Sequence, residues 1–363
     1  MEKLYGENIP QIYEFATDAD PIFCTGHGSG HINDTYLVVD KTARSYILQK
    51  INKKIFRATH ELMTNIKAVT EYLTGRAKES REALCLIPTK SGADWLVDED
   101  GEYWRMYTFI SDTICLQKVE DPADFKESGV AFGNFQRALA DFPAHTLHET
   151  IPRFHDTPNR FTNLKNAIAA DPVGRVKHVQ REIEFALSQE AYGGTLMKLY
   201  EAGEIPLRVT HNDTKLNNVL FDRMTRRALC VIDLDTVMPG LAVNDFGCAV
   251  RFGASTAAED EIDLSKVGFS LPLMEVYAQG FLQACGDSLT QNELLHLRDG
   301  AKMMTLEDGI RFLTDYIEGD VYYRIHREHH NIDRCRTQFK LVAEMDMKWN
   351  QMQEIILRAG GIK

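Results

Sequence analysis

The residues best equipped for chemistry stand in one stretch, His211-Asn212-Asp213-Thr214-Lys215-Leu216-Asn217-Asn218, and in an acid beyond it, Asp233. Moving a phosphoryl group asks little covalent work of a protein. It needs a carboxylate to orient the acceptor hydroxyl, oxygen ligands for a metal ion, and a cation against the phosphates. Asp213 supplies the carboxylate, Lys215 the cation and Asn218 one oxygen ligand. A second ligand is expected at the end of a neighbouring strand, and Ala228-Leu229-Cys230-Val231-Ile232 is a short apolar, β-branched run that ends in Asp233. Asn, Asp and Thr also populate ordinary surface turns. A strand-like lead-in (Pro206 to Thr210), a strand-like exit (Val219-Leu220-Phe221) and a second strand closing on an acid favour a site over a plain loop.

Asp213, Lys215 and Asn218 follow the spacing of the H-R-D-x-x-x-x-N loop of kinases. Asp245-Phe246-Gly247 spells the kinase metal motif literally, but it follows a loop with Pro239 and Gly240 and opens an apolar helical pattern, Phe246, Ala249, Val250. Asp245 is therefore expected as a helix N-cap with a structural, backbone-bracing role.

The elements that must position these groups begin with short strand-like runs separated by turns: Pro21 to Thr25, Ile32 to Val39 and Ser45 to Ile51. Gly26, Gly28 and Gly30 lie between the first two, where glycines let backbone N–H groups approach phosphate oxygens. Thr59 to Thr74 reads as a helix, with Leu62, Ile66, Val69 and Leu73 on one face. Two more strands follow, Trp95 to Val97 and Tyr103 to Ile110. Of these, Met106 to Ile110, with Tyr107 and Phe109, is expected to include a hinge offering backbone groups to adenine. From Ser111 the pattern turns helical. Asp121-Pro122 caps a long helix with Phe125, Gly129, Phe132, Phe135, Gln136 and Leu139 on one face, and Leu273, Val276, Phe281, Leu306, Ile310, Leu313, Ile317, Leu341 and Met345 mark later helices. His145, His148, His155 and Asp156, like His326, His329, His330 and Cys335, lack metal-ligand spacing and read as polar faces.

The run His211 to Asn218 followed by Ile232-Asp233 resembles the aminoglycoside phosphotransferase and choline kinase superfamily. Further runs extend the likeness over most of the chain: Gly28-Ser29-Gly30-His31-Ile32-Asn33, Tyr46-Ile47-Leu48-Gln49, Phe154-His155-Asp156-Thr157-Pro158, Ile232-Asp233-Leu234-Asp235-Thr236 and Arg251-Phe252-Gly253-Ala254-Ser255-Thr256. They resemble those of kinases that phosphorylate the anomeric hydroxyl of N-acetylhexosamines. The resemblance implies an α+β, protein-kinase-like bilobal fold, with a small antiparallel-sheet N-lobe over residues 1–110 and a mainly helical C-lobe over 111–363. It implies ATP as donor, Mg2+ held by Asn218 and Asp233, and Asp213 and Lys215 as catalytic groups. Nucleotide contacts fall to Gly28, Ser29, Gly30, His31, Gln49, Tyr107 and Phe109, and sugar contacts to His31, Asn33, Asp213 and Arg311. One departure is plain. Kinase-like folds place a Lys on the third strand, paired with a Glu on the next helix, to hold phosphates, whereas this chain has Gln49 there.

Composition bounds the rest. The chain has 363 residues, 44% of them apolar, and a net charge of −12. That length suits two lobes, and the charge, without a dense Lys/Arg run, argues against a nucleic-acid binder. No basic leader and no long apolar run is present, so a cytoplasmic protein without membrane partners is expected; a monomer is expected as well, with an oligomer left open. Seven scattered cysteines without a C-x-x-C pair read as small buried apolar residues. Competing readings are a kinase for another alcohol, such as an amino alcohol or aminoglycoside, a metal-dependent phosphatase using His211-Asn212-Asp213, and a non-catalytic nucleotide-binding module suggested by Gln49.

Overall fold

The strand-like runs near the N-terminus become neighbours in a six-stranded sheet. Its members are β1 (Tyr5–Gly6), β2 (Pro21–Gly26), β3 (Asp34–Asp40), β4 (Ser45–Lys50), β5 (Leu96–Val97) and β6 (Tyr103–Thr108), in the order β1-β2-β3-β4-β6-β5. All pairings are antiparallel except that of β1, which joins β2 in parallel and has no alternating pattern long enough to read in the sequence. This is a computed structural model, and it describes residues 5–28 and 32–361. Contacts group the chain into two units. The first takes the chain through Ile114, His145–Pro152 and Leu220–Met238; the second takes Cys115–Ala144, Arg153–Val219 and the chain from Pro239 onward.

Period-two alternation gives the sheet of the first unit two different faces. On one, Cys24, Val38, Tyr46, Leu48, Trp104 and Met106 pack on Ile12 and Phe15. On the other, Thr35, Gln49 and Arg105 lie side by side in register across β3, β4 and β6. Helix α1 (Thr59–Thr74) buries Leu62, Ile66 and Val69 of the expected stripe together with Met63, while Leu73 is only half-buried. Asn65 on that helix ties in both returning segments. Its amide nitrogen donates to the carbonyls of His148 (2.8 Å) and Val237 (3.1 Å), and its oxygen accepts the His148 N–H at 2.9 Å.

The second unit is mainly helical. Asp121 caps α2 (Pro122–Ala138) by accepting the Ala123 N–H at 2.9 Å, and Asp156 caps α3 (Thr157–Ala170) through the Asn159 N–H at 2.9 Å. The α2 face expected from sequence is buried, from Phe125 to Leu139. Later helices span Ala242–Gly253, Leu271–Cys285, Leu297–Glu318, His330–Met347 and Trp349–Ala359. In Leu271–Cys285 the buried stripe runs through Met274, Tyr277, Ala278 and Phe281, which leaves Leu273 and Val276 only half-buried. The first and third of these helices cross at two glycines. A Cβ on Gly247 would sit 2.2 Å from the Gly300 carbonyl oxygen, and one on Gly300 would sit 1.9 Å from that of Val243, so neither position admits a side chain.

Five cysteines are buried, but Cys85 and Cys115 are exposed, against the expectation that all seven are core residues. No helix among the described residues is long and apolar enough to cross a membrane.

Candidate active site

In the second unit the strand Arg208–Thr210 delivers the chain into the loop that carries Asp213. Asn212 takes a left-handed backbone (φ 63°), tolerable for Asn, and so turns the chain sharply just before Asp213. His211 is wholly buried, edge-on to Phe132 and Phe135, and its Nδ1 accepts the Asp213 N–H at 3.3 Å. Beneath the loop lies Asp245, whose carboxylate accepts the N–H groups of His211 (2.9 Å) and Asn212 (2.7 Å) and an amide hydrogen of Gln136 (2.7 Å). This corrects the expected N-cap. Leu241 precedes the Ala242–Gly253 helix, while Asp245 lies inside its first turn with its side chain pointed away from its own helix, bracing the loop's backbone. Burial raises the Asp245 carboxyl above its ordinary value, partly offset by His211 and the donated N–H groups.

Asp213, Lys215 and Asn218 come together. Lys215 Nζ lies 2.8 Å from Asp213 Oδ1, and Asn218 Nδ2 donates to the Asp213 carbonyl (2.8 Å) and to Oδ2 (3.2 Å). Burial pushes the Asp213 carboxyl up, yet the charge and hydrogen bond of Lys215, with His211 and Arg251 further off, hold it below its ordinary value. The Asp213 charge in turn raises the Lys215 ammonium. At neutral pH the pair is a carboxylate and a cation. The Asn218 amide nitrogen faces Asp213, and its Oδ1 is a hard oxygen donor of the kind a divalent cation prefers.

Beside this loop lies a charged cluster in which the sequence reading gave a site role to Arg311 alone. Arg311 pairs with Asp308 at 3.2 Å, and Asp308 pairs with Arg251 at 2.9 Å, while Arg251 also reaches Glu259 at 2.8 Å. Burial works against the Asp308 charge, but Arg251 and Arg311, then His155 and Lys215, hold its carboxyl below the usual range, which links the cluster to the Asp213 loop. The Arg311 guanidinium lies 5.5 Å from the ring centroids of Phe154 and Tyr323 and 6.0 Å from that of Tyr322. Those tyrosines are held by Asp315, which accepts the N–H groups of Val321, Tyr322 and Tyr323. Glu307 accepts from Thr157 at 2.8 Å and lies 3.0 Å from His155 Nδ1. Cys248, nearby on the Ala242–Gly253 helix, is pushed up to about 11 by burial and remains a thiol. The other histidine group is likewise accounted for locally, His330 lying 3.1 Å from Asp260.

In the first unit Gly28 has φ +81°, a backbone that L side chains rarely adopt. Ser29, Gly30 and His31 lie outside the described residues. Asn33 donates to Asp235 at 2.5 Å and accepts the Asn52 N–H at 2.9 Å, so both ends of its amide serve the fold. Gln49 donates to Thr35 Oγ1 (3.0 Å) and accepts from Arg105 Nε (2.9 Å). The Tyr107 side chain is buried, with the Arg105 guanidinium 5.3 Å from its ring centroid. The Phe109 ring meets His27 edge-on, and its N–H is taken by the Ser45 carbonyl. Asp233 closes the Ala228–Val231 segment in a left-handed conformation (φ 61°, ψ 60°) and leads into a 3-10 turn, Leu234–Thr236. The Tyr107 hydroxyl, buried and without a hydrogen-bond partner, feels the charges of Asp235 and Asp233. Asp233 in this unit and the Asn218 amide in the other each carry an oxygen donor of the kind a hard divalent cation takes.

A sequence model described as the phosphotransferase enzyme family matches residues 24–278. Among solved structures, an amicoumacin kinase in complex with AMP-PNP and Ca2+ aligns with a TM-score of 0.57 and 13% identity, covering 90% of each chain. A microcompartment-associated aminopropanol kinase aligns at 0.56 and 15% identity over 94% of this chain and 97% of that one. An aminoglycoside phosphotransferase from Alicyclobacillus acidocaldarius aligns at 0.54 and 12% identity over 97% and 96%. At these identities the likeness is one of fold: a mixed α+β chain, antiparallel strands toward the N-terminus and helices toward the C-terminus.

Proposed function

The chain belongs to the phosphotransferase enzyme family, and within it we propose an ATP-dependent kinase that phosphorylates the anomeric hydroxyl of N-acetylhexosamines such as N-acetylglucosamine and N-acetylgalactosamine. The observation that carries the acceptor class is the pairing of the carboxylates near Asp213. Asp213 is matched by Lys215, Asp308 by Arg251 and Arg311, Glu259 by Arg251, and Glu307 by His155 and Thr157. Cationic acceptors, such as the amino alcohol named for one solved neighbour, are best held by carboxylates left open for them. A neutral sugar needs donors for its hydroxyls and acetamide carbonyl, which Arg311 supplies, and flat apolar rings for its C–H face, which Phe154, Tyr322 and Tyr323 supply.

In this reading Asp213, ionised at neutral pH, accepts a hydrogen bond from the anomeric hydroxyl. It takes the proton as that oxygen bonds to the γ-phosphorus and the bond from phosphorus to the ADP oxygen breaks. Lys215 holds Asp213 in place and offers its charge to the transferring group. Asn218 and Asp233 are the residues that would hold the divalent cation, which when bound neutralises charge on the phosphates. The glycine loop around Gly28 offers backbone N–H groups to them.

A panel of acceptors with labelled ATP tests the proposal. The N-acetyl sugars should be labelled, and the product should lose its reducing-end reaction and release phosphate in mild acid. Phosphate on the 6-hydroxyl, or a preference for choline, ethanolamine or an aminoglycoside, would overturn the acceptor assignment and leave the kinase reading standing.

A further inference from the structure

Arg105 is the largest fully buried side chain among the described residues, 1% exposed, and it sits in the sheet row where a kinase would carry its phosphate-binding lysine. The lysine's own place on β4 is Gln49, and Arg105 is its register partner on β6. The guanidinium donates through Nε to Gln49 and through a second nitrogen to Asp235 Oδ1. On the side of α1, where a kinase would offer a glutamate, Arg105 meets the Met63 sulfur at 4.0 Å. Its acid comes instead from Asp235, itself 3% exposed and two residues beyond Asp233.

We propose that the buried Arg105–Asp235 pair is the positioning device for Asp233, replacing the strand-lysine and helix-glutamate pair of kinases and serving the metal ligand rather than the phosphates. The inference rests on Asp233 being the metal carboxylate. Asp233 takes a left-handed backbone at φ 61°, one that an aspartate visits only occasionally and that the surroundings here determine. The turn after Asp233 is so determined. Asp235 is gripped on one oxygen by Arg105 and on the other by Asn33, Leu234 is buried, and the Val237 carbonyl accepts from Asn65. Asn33 extends the grip to the strand that follows the glycine loop, and Gln49 extends it to β3 through Thr35. Pinned at Asp235 and Val237, the backbone fixes the direction of the Asp233 carboxylate. Arg105 is too deeply enclosed to meet a phosphate, so it acts through Asp235 alone.

The test is metal affinity, read apart from turnover. Binding of Mn2+ in the presence of ATP, followed by the loss of its free paramagnetic signal, is compared with binding of a fluorescent ATP analogue in EDTA. Asp235→Asn, which keeps the side chain's shape, should weaken Mn2+ binding tenfold or more and change metal-free nucleotide binding less than twofold. Arg105→Lys, which keeps the charge, should stay within about threefold of the parent for Mn2+. Unchanged Mn2+ binding by Asp235→Asn, an equal loss of metal-free nucleotide binding, or a loss in Arg105→Lys as large as in Asp235→Asn would each overturn the proposal. Should Asp233→Ala bind Mn2+ as the parent does, the assignment of Asp233 as metal ligand fails instead, and the two failures are told apart.

Discussion

Asp245 accepts the backbone N–H of Asn212 at 2.7 Å, so an acid on one helix fixes the left-handed residue that turns the chain into Asp213. Removing that carboxylate takes away the acceptor of the buried His211 and Asn212 N–H groups, at about 1–3 kcal/mol each. Asp245→Ala is therefore expected to lose about 3 kcal/mol or more in denaturant unfolding, well beyond the cost of a lost helix cap. Turnover should fall with it while the metal dependence keeps its midpoint. Asp233→Ala should do the reverse, shifting the metal dependence with little change in stability. An Asp245→Ala protein that melts like the parent but has lost its metal response would exchange the roles of the two acids.

Asp213→Asn should remove most turnover, with kcat down by a factor on the order of 100 or more, and leave ATP affinity nearly intact. The substitution keeps the volume beside Asn218 but cannot take a proton. Near-parental kcat would sink the role given to Asp213.

The same carboxyl makes a prediction about pH. Its folded value lies below 3.8, so the protein releases this proton more readily folded than unfolded. The stabilisation is complete above pH 3.8 and disappears as the pH falls through the folded value. The melting temperature of the parent should exceed that of Asp213→Asn at neutral pH, and the gap should narrow toward pH 3. A gap constant across that range would mean the Lys215–Asp213 pair contributes nothing. Asp245 runs the other way. Its raised folded value makes ionisation costly, so its contribution weakens stability as pH rises from 3.8 through that value.

What could be read in the sequence was local. Helix α1 begins at Thr59 and ends at Thr74 as its apolar spacing requires, and Asp121 caps α2 because an acid followed by proline has few other uses. The Asp213, Lys215, Asn218 group was legible because all three lie within one loop. Asp245 was misplaced because its partners, His211 and Asn212, belong to a distant loop, whereas the capping rule weighs only neighbours. Arg105 was missed for the same reason: its acid lies 130 residues away, and the only local sign was a cation in an otherwise apolar and aromatic strand. The Tyr322 and Tyr323 rings over Arg311 depend on Asp315 gathering three N–H groups of a loop without periodicity.

Gln49→Lys restores the residue kinases use at this position, yet it should bring no gain. The Gln49 oxygen accepts from Arg105, and an ammonium there would face a guanidinium with its hydrogen bond removed. Like charges a few ångströms apart at a partly buried site cost on the order of 2 kcal/mol. The variant should melt at a lower temperature with ATP affinity unchanged or weaker. A rise in kcat would mean that the phosphates lack a cation and that Arg105 tolerates a neighbour of its own sign.

Arg311→Met tests the acceptor side. Its side chain lies amid Phe154, Tyr322 and Tyr323 and shares Asp308 with Arg251, so a methionine can fill the space between the rings while the second arginine still holds the acid. Stability should change little. If the guanidinium donates to the acceptor, losing a charged hydrogen bond of about 1.5–3 kcal/mol lowers kcat/KM for N-acetyl sugars roughly 10- to 150-fold. KM for ATP should not move, because the nucleotide contacts assigned above do not include Arg311. With one of its two arginines gone, Asp308 also becomes a better partner for a cation. The ratio of activity on ethanolamine to that on N-acetylglucosamine should therefore rise. An unchanged KM for the sugar, with an unchanged ratio, would remove Arg311 from the acceptor site and return it to the part of a packed residue holding the Tyr322–Tyr323 loop.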